Sequence, residues 1–186
     1  MPLTPFHLGP GALLKSLFPR RFSFRVFLIT QVIMDFETAW NIFRGNERLH
    51  TFFHSYFGSN MVIVLSLIIV LTYNFIFMNG LEKVVSNSPV WAPFKLRQAL
   101  ISAAIGVWSH VFLDSIMHAD MIPLRPFSDL NPSLHIISVL TLHVICLAGF
   151  IVAAVIYGLR QLVQLVLKSK TFGVHGARFW RRVLHR

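Results

Sequence analysis

Two histidines and an aspartate recur at four-residue intervals in an apolar part of the chain, as His110, Asp114 and His118. With about 100° of rotation per residue, these side chains fall within roughly 80° of arc on one face of a helix. An unpaired carboxylate in apolar surroundings costs on the order of several kcal/mol, and a divalent cation held together with neutral imidazoles compensates it. The spacing therefore predicts a metal site, with a hydrogen-bonded network between helices as the alternative.

Other residues of the same chemical types precede this segment. His50 and His54 are four residues apart, so both are candidate ligands, and His7 is a further candidate near the start of the chain. Asp35 and Glu37 are two residues apart, which in a helix separates their directions by about 160°. At most one of the two can face a shared centre, and we expect Asp35 to be that ligand.

Two acids remain for proton transfer or support of the ligands. Glu37 is predicted to be a general base, a partner of a ligand, or an ion-pair partner of Arg44 or Arg48, and Asp120 is the second candidate base. Cys146 is the only cysteine, which excludes a disulfide framework and a thiolate metal cage. Imidazole and carboxylate ligands without thiolates make zinc the expected ion.

The composition indicates that these residues lie in a membrane protein. Of the 186 residues, 55% are hydrophobic and 13% are charged, and the mean hydropathy is +0.64. Residues 60–80 and 133–159 carry no charge and exceed the roughly 20 residues that span a bilayer. Residues 98–118 form a third span. Residues 24–43 form a fourth if Asp35 and Glu37 are tolerated at depth.

The resulting fold prediction is all-α, a polytopic bundle of about four transmembrane helices plus a short N-terminal helix. That short helix covers residues 8–18 and is too short to cross the bilayer as an ordinary helix. We expect a membrane domain over residues 1–159 and a basic cytoplasmic tail over residues 160–186. His143, within a span, and His135, just after a helix start predicted at residues 131–133, are expected to have structural roles.

Basic residues are distributed unevenly along the chain, whose formal charge is +10. Thirteen Lys and Arg fall in residues 20–25, 81–97 and 160–186, whereas the two intervening loops hold three. By the positive-inside rule the three basic segments are predicted to be cytoplasmic. The loops 44–59 and 119–132 are then expected on the other side of the membrane. The tail is predicted to bind anionic lipid rather than nucleic acid.

Four blocks carry a resemblance to a known family: MPLTPFHLGPGALLKSLFP, QVIMDFETAW, LHTFFHSYFG and SHVFLDSIMHADMIPLRPFS. Together they resemble the bacterial inner-membrane proteins known as membrane-bound metal-dependent hydrolases, with the branches DUF4184 and YdjM-like DUF457. The likeness covers about the first 132 residues. Many YdjM-like members have Pro-Asp-x-Asp where this chain has Met34-Asp35-Phe36-Glu37, and Gly in place of Asp120.

The resemblance implies a ligand set and an activity. The implied ligands are His7, Asp35, His50 or His54, His110, Asp114 and His118. Their order is similar to that of zinc-dependent phospholipase C and P1-type nucleases, although the final His-x3-Glu pair of those enzymes is not found here. The implied activity is metal-dependent hydrolysis of an ester or phosphodiester in an amphipathic or lipid substrate, near the non-cytoplasmic face of the bacterial inner membrane. The alternative is a haem-binding or ion-conducting membrane protein, with His54 or His110 paired with His143.

Overall fold

The computed structural model describes residues 5–77 and 93–184, with side chains up to residue 167. The described chain is all-helical: a 3-10 turn at Pro5–His7 precedes five α-helices. These are α1 (Leu8–Leu17), α2 (Phe24–Phe43), α3 (Ser59–Ile76), α4 (Leu96–Met117) and α5 (Val139–Leu184). The all-α prediction is confirmed.

Three of these helices are long and apolar enough to cross a bilayer, judged by length and composition. They are α3, α4 and the Val139–Leu167 part of α5. The predicted membrane character is thereby supported. The fourth predicted span corresponds to α2, whose bounds match residues 24–43 but which carries Asp35 and Glu37.

Serine side chains define where two helices begin. The Ser23 hydroxyl accepts a hydrogen bond from the backbone N–H of Val26 and caps α2, since the first N–H groups of a helix have no partner within it. Ser138 does the same for α5 by accepting from the N–H of Thr141. The start of α5 predicted at residues 131–133 is therefore wrong by several residues.

Helix α4 lies between α2 and α3 and forms the centre of the bundle. It runs parallel to α2, because Ser102 accepts from the N–H of Ser23 at one end while Gln31 donates to the Gly106 carbonyl further along. It runs antiparallel to α3. The buried cores along these contacts are Met34, Val62, Val107, Val111 and Met121 at one level and Val26, Val70, Ala99 and Ala103 at the other.

The short helix α1 packs on α5 through a backbone contact. A Cβ atom added to Gly9 would overlap the carbonyl oxygen of Cys146, and one added to Gly149 would lie 3.1 Å from the backbone of Gly9. Only glycine permits so close an approach of two helices. The contact keeps the first residues of the chain beside α5, and α5 in turn meets α4 through Leu142, Cys146, Leu113 and Ile116.

One predicted helix boundary differs from the structure. The third span was expected to include His118, but α4 ends at Met117 and His118 has an extended backbone (φ −114°, ψ 121°). The helix of α5 extends as far as Leu184, and the division into a membrane domain up to residue 159 and a basic tail after it stays a prediction. The 81–97 loop and the side chains of the tail beyond residue 167 lie largely outside the described residues.

Candidate metal centre

Five histidine side chains surround the carboxylate of Asp114. The Nε2 atoms of His7 and His110 lie 3.2 and 3.1 Å from its oxygens. The Nε2 atoms of His54, His118 and His50 lie at 3.6, 3.8 and 3.9 Å. Two ligands of one tetrahedral zinc ion, bound at about 2.0–2.1 Å, are about 3.3 Å apart. The distances from the histidine nitrogen atoms to the Asp114 oxygens are therefore close to those between two ligands of the same metal ion.

Several elements bring these residues together. His110 and Asp114 lie one turn apart on α4, whose buried face they share. His7 ends the 3-10 turn that the α1–α5 contact holds in place, and His118 follows the last turn of α4. His50 and His54 come from the segment between α2 and α3. This segment is tied to the 118–138 loop by a hydrogen bond from the Tyr56 N–H to the Pro123 carbonyl.

Buried nitrogen atoms without a hydrogen-bond partner lie at the centre of the cluster. Among the described residues, neither ring nitrogen of His7 has one, and the Nε2 atom of His110 has none. Their distances to the Asp114 oxygens are short enough for hydrogen bonds, but the geometry is not that of a donor pointing at an acceptor. A buried polar atom left unpaired costs about 1–3 kcal/mol, and a bound cation would remove this cost. The donor set therefore fits a metal ion.

The ligand atoms form two groups of three that share Asp114. One consists of His7, His110 and Asp114 and is buried throughout. The other consists of His50, His118 and Asp114. Within each group the ligand atoms lie within 4.8 Å of one another. A single carboxylate with its two oxygens is thus placed to serve two neighbouring positions.

Two carboxylates behind the cluster orient two of its histidines. Asp120 accepts from the Nδ1 of His50 at 2.9 Å and from the backbone N–H groups of Leu49 and His50 at 3.0 Å. Glu37 accepts from the Nδ1 of His54 at 2.9 Å and from the Phe53 N–H at 3.0 Å. Because an ionised carboxylate can only accept, Nδ1 is the donor in both rings. The lone pair of each neutral ring is then on Nε2, toward Asp114.

Gln31 has the same role for His110. Its Nε2 donates to the carbonyl of Gly106 at 3.0 Å, which fixes the amide orientation. Its Oε1 therefore accepts from the Nδ1 of His110 at 2.8 Å. Gln31 was not predicted from the sequence, since a neutral amide is not a typical metal ligand. Its spacing from Asp35 could have indicated a role in the site, because Gln31 lies one helical turn earlier on the same face of α2.

Asp35 lies at the edge of the cluster. Its Oδ1 is 3.7 Å from the Nε2 of His110, and its side chain is 15% exposed. It borders a cleft of about 180 Å³ that His7 and Gln31 also line. The other walls are apolar and include Leu8, Leu28 and Val32. Asp35 thus lies between the buried candidate ligands and an opening next to α2 and the Pro5–His7 turn.

Burial and hydrogen bonding shift the pKa values of His118 and Asp120, which lie beyond the end of α4. Burial lowers the pKa of the His118 imidazole, which keeps the ring neutral. Burial of Asp120 opposes its ionisation, but the hydrogen bonds from His50 and Leu49 outweigh it and hold the pKa of this carboxyl below its usual value. Both groups are therefore in the protonation states that ligation and orientation require.

All nine residues predicted for the site lie in or directly around the cluster. Seven of them face its centre, and two lie behind histidine rings. The Nε2 atoms of the five histidines and the carboxylates of Asp35 and Asp114 face the centre. Glu37 and Asp120 contact the opposite sides of His54 and His50. His143 lies outside the cluster and stacks on Phe6 at 4.3 Å, and His135 is exposed.

Comparison of the chain with protein-family models, with curated proteins and with solved structures finds no match. The resemblance to the metal-dependent hydrolases therefore stays a prediction from the sequence, and the function has to be argued from the site itself.

Proposed function

We propose that this protein is a membrane-embedded, metal-dependent hydrolase and that zinc is its ion. The observation that carries the proposal is the convergence of five imidazole Nε2 atoms on the buried Asp114 carboxylate, with Nδ1 of three rings held by Gln31, Glu37 and Asp120. A plain hydrogen-bonded network would pair its buried nitrogen atoms, whereas His7 and His110 keep unpaired ones. Neutral imidazoles and carboxylates are ligands that suit zinc.

The chain itself supplies the positioning for such a reaction. His7, His110 and Asp114 would hold the ion in the buried group, and His50 and His118 would complete the more exposed one. A bound divalent cation supplies Lewis acidity and lowers the pKa of a water ligand. The carboxylates that fix the rings keep the ligands in place, which limits the rearrangement needed during turnover.

Three carboxylates are candidates for accepting the proton from the attacking water. Glu37 and Asp120 were predicted for this role from the sequence, and both are engaged with histidine Nδ1 atoms. Asp35 is the third, since it lies at the opening and faces the centre. We favour Asp35, because Glu37 and Asp120 are separated from the centre by the imidazoles that they orient.

The cleft beside Asp35 supports an amphipathic substrate. Its apolar walls include Leu28 and Val32, whose outer surfaces are exposed on α2. In a membrane this face would meet lipid, so an apolar chain could enter from the side while its ester or phosphodiester group reaches the ligands. The predicted likeness to phospholipases favours the phosphodiester.

The proposal includes a topology. We place four spans in the bacterial inner membrane, with α2 as the fourth and the cluster near the non-cytoplasmic face. The acids of α2 support this assignment, because they face the cluster instead of lipid. The tail after residue 160 would lie in the cytoplasm against anionic lipid, with no role in nucleic-acid binding.

Metal content tests the proposal. Full-length protein purified in a neutral detergent should retain zinc on elemental analysis, and the His110→Ala and Asp114→Ala variants should lose most of it. His135→Asn is the matched control, since it removes an exposed imidazole outside the cluster and asparagine tolerates the positive φ of this position. Equal metal content in all four proteins would remove the proposal.

Activity and absorption distinguish the enzyme from the haem alternative. The zinc-loaded protein should hydrolyse a phospholipid in mixed micelles, lose this activity on chelation and regain it with zinc. A haem protein would instead show a Soret band and no chelator-sensitive hydrolysis.

A further inference from the structure

A second cavity lies at the opposite end of α1 from the metal cluster. It has a volume of about 820 Å³ and lies between the C-terminal half of α1, the following turn and the middle of α5. A ten-residue helix is about 15 Å long, so this cavity is well separated from His7. Its size falls within the range of about 300–1,000 Å³ typical of small-molecule sites.

The walls of this cavity combine apolar and cationic groups. The aromatic rings of Phe24, Phe150 and Tyr157 contribute to the apolar part. The cations at its rim are Lys15, Arg20, Arg21 and Arg160. Among the described residues that line the cavity, none is acidic. Four like charges around one space repel each other, and an anion bound between them would relieve that repulsion.

The rim is held in place by hydrogen bonds. The Lys15 ammonium donates to the carbonyls of Pro19 and Phe22 at 2.8 and 3.1 Å, which closes the turn that carries Arg20 and Arg21. Gln98 of α4 donates to the Arg20 and Phe22 carbonyls from the other side. An ammonium has three protons, so Lys15 keeps one for a ligand. Burial, and then the charge of Arg25, lower the pKa of Lys15.

The lipid-facing side of α5 borders the same cavity. Tyr157 is 64% exposed, and its neighbours Val155 and Leu159 are also exposed along the apolar length of this helix. A soluble anion would use the cations but not the aromatic wall. A phospholipid would use both, with its phosphate at the rim and an acyl chain along Phe150 and Tyr157.

We propose that this basic cavity binds the headgroup phosphate of an anionic phospholipid, at the end of the bundle opposite the metal cluster. Such a site differs from the general attraction of the 160–186 tail to a charged membrane, because it has a defined cavity and fixed cations. It is also independent of the metal centre, so either proposal can fail alone.

The test uses full-length protein in neutral detergent, titrated with dioleoyl phosphatidylglycerol and, in parallel, with dioleoyl phosphatidylcholine. Bound lipid is measured by native mass spectrometry. The parent protein should retain phosphatidylglycerol selectively. In the triple variant Arg20→Gln/Arg21→Gln/Arg160→Gln, retention should weaken on the order of a hundredfold, since each cation near a membrane surface contributes about fivefold.

Two matched variants separate the cavity from overall charge. Arg44→Gln/Arg48→Gln/Arg125→Gln removes the same charge at the metal end, and Arg178→Gln/Arg181→Gln/Arg182→Gln removes it from the tail. The first should bind phosphatidylglycerol like the parent, and the tail variant should lose only the general attraction to charged lipid and still retain phosphatidylglycerol selectively over phosphatidylcholine. Loss in the tail variant with retention in the cavity variant would overturn the proposal.

Filling the cavity without changing charge provides the second test. Ala154 lines it and is exposed, so Ala154→Trp should fill the space without disturbing the bundle, as an unchanged melting temperature would verify. This variant should also lose phosphatidylglycerol. Unchanged lipid binding would show attraction to the surface alone and contradict the proposal, as would full competition by millimolar glycerol phosphate or inorganic phosphate.

Discussion

The direction of an imidazole in the cluster depends on the hydrogen-bond partner behind it. The Nδ1 atoms of three rings donate hydrogen bonds to oxygen atoms behind them. His50 donates to Asp120, His54 to Glu37 and His110 to Gln31. A neutral imidazole has one donor and one acceptor nitrogen, so a bond at Nδ1 decides which atom can bind a cation. The three partners therefore determine which nitrogen of each ring faces the centre of the cluster.

Removing one of these partners should weaken metal binding while leaving the ligands intact. We expect Asp120→Ala to lower zinc affinity by about 10–100-fold, as for other residues that orient a metal-bound histidine. Competition with a chromophoric chelator measures this affinity. Glu47→Gln is the control, because Glu47 is an exposed acid at the same end of the molecule. An Asp120→Ala protein with parental affinity would contradict the orienting role.

Residue types and spacing could predict which side chains belong to the cluster. They could not predict which of these face its centre and which lie behind a histidine ring. The interval of four residues identified His110 and Asp114 because it is a property of one helix. The bonds of Glu37 to His54 and of Asp120 to His50 join residues 17 and 70 positions apart. No local pattern encodes such pairings, and therefore the sequence alone could not distinguish a base from an orienting group.

The position of α1 depends on its contact with α5. The 3-10 turn that carries His7 leads directly into α1, and Gly9 contacts the backbone of Cys146. Glycine here permits the close approach that brings His7 to within 3.2 Å of Asp114. The packing of one short helix therefore brings a candidate ligand to the site.

A methyl group at Gly9 should separate these helices. We expect Gly9→Ala to destabilise the protein by about 1–3 kcal/mol, the range of overpacked substitutions, and to reduce bound zinc because His7 moves. Gly158→Ala, on α5 with open space around it, should be neutral or slightly stabilising, since alanine is the better helix former. Thermal unfolding in detergent and elemental analysis are the measurements. Equal melting temperatures for Gly9→Ala and the parent would argue against the close contact.

The hydropathy pattern predicted the presence of the long helices more accurately than the residues at which they begin and end. The bounds of α2 agree with residues 24–43, because Ser23 caps an apolar run. The start of α5 was placed too early, since Asn131 does not begin a helix. Its side chain donates to the Ser115 carbonyl and accepts from the Ser133 N–H, forming a turn against the end of α4. Tertiary contacts of this kind are not visible in a hydropathy pattern.

The described acidic residues and the basic cavity lie at opposite ends of the bundle. All six described acidic residues follow the middle of α2 or lie at or beyond the last turns of α4, at the end that carries the cluster: Asp35, Glu37, Glu47, Asp114, Asp120 and Asp129. The basic cavity lies at the other end. The positive-inside orientation predicted from the loops would place the end with the basic cavity in the cytoplasm.

Cysteine labelling tests the orientation. In intact cells, an impermeant maleimide should react with Glu47→Cys and should reach Gln164→Cys only after the membrane is opened. The parent protein is the control and should stay unlabelled, because Cys146 is buried and is the only native thiol. The reverse labelling pattern would invert the topology.

The location of Pro5 beside Asp35 has a practical consequence. An extended chain spans at most about 3.5 Å per residue, so any segment of four residues attached before Pro5 spans no more than about 14 Å. A polyhistidine purification tag fused within a few residues of Pro5 would thus bring foreign imidazoles within reach of the native ones, where they could compete for zinc and distort the measured stoichiometry. Affinity handles belong at the carboxyl terminus of this chain.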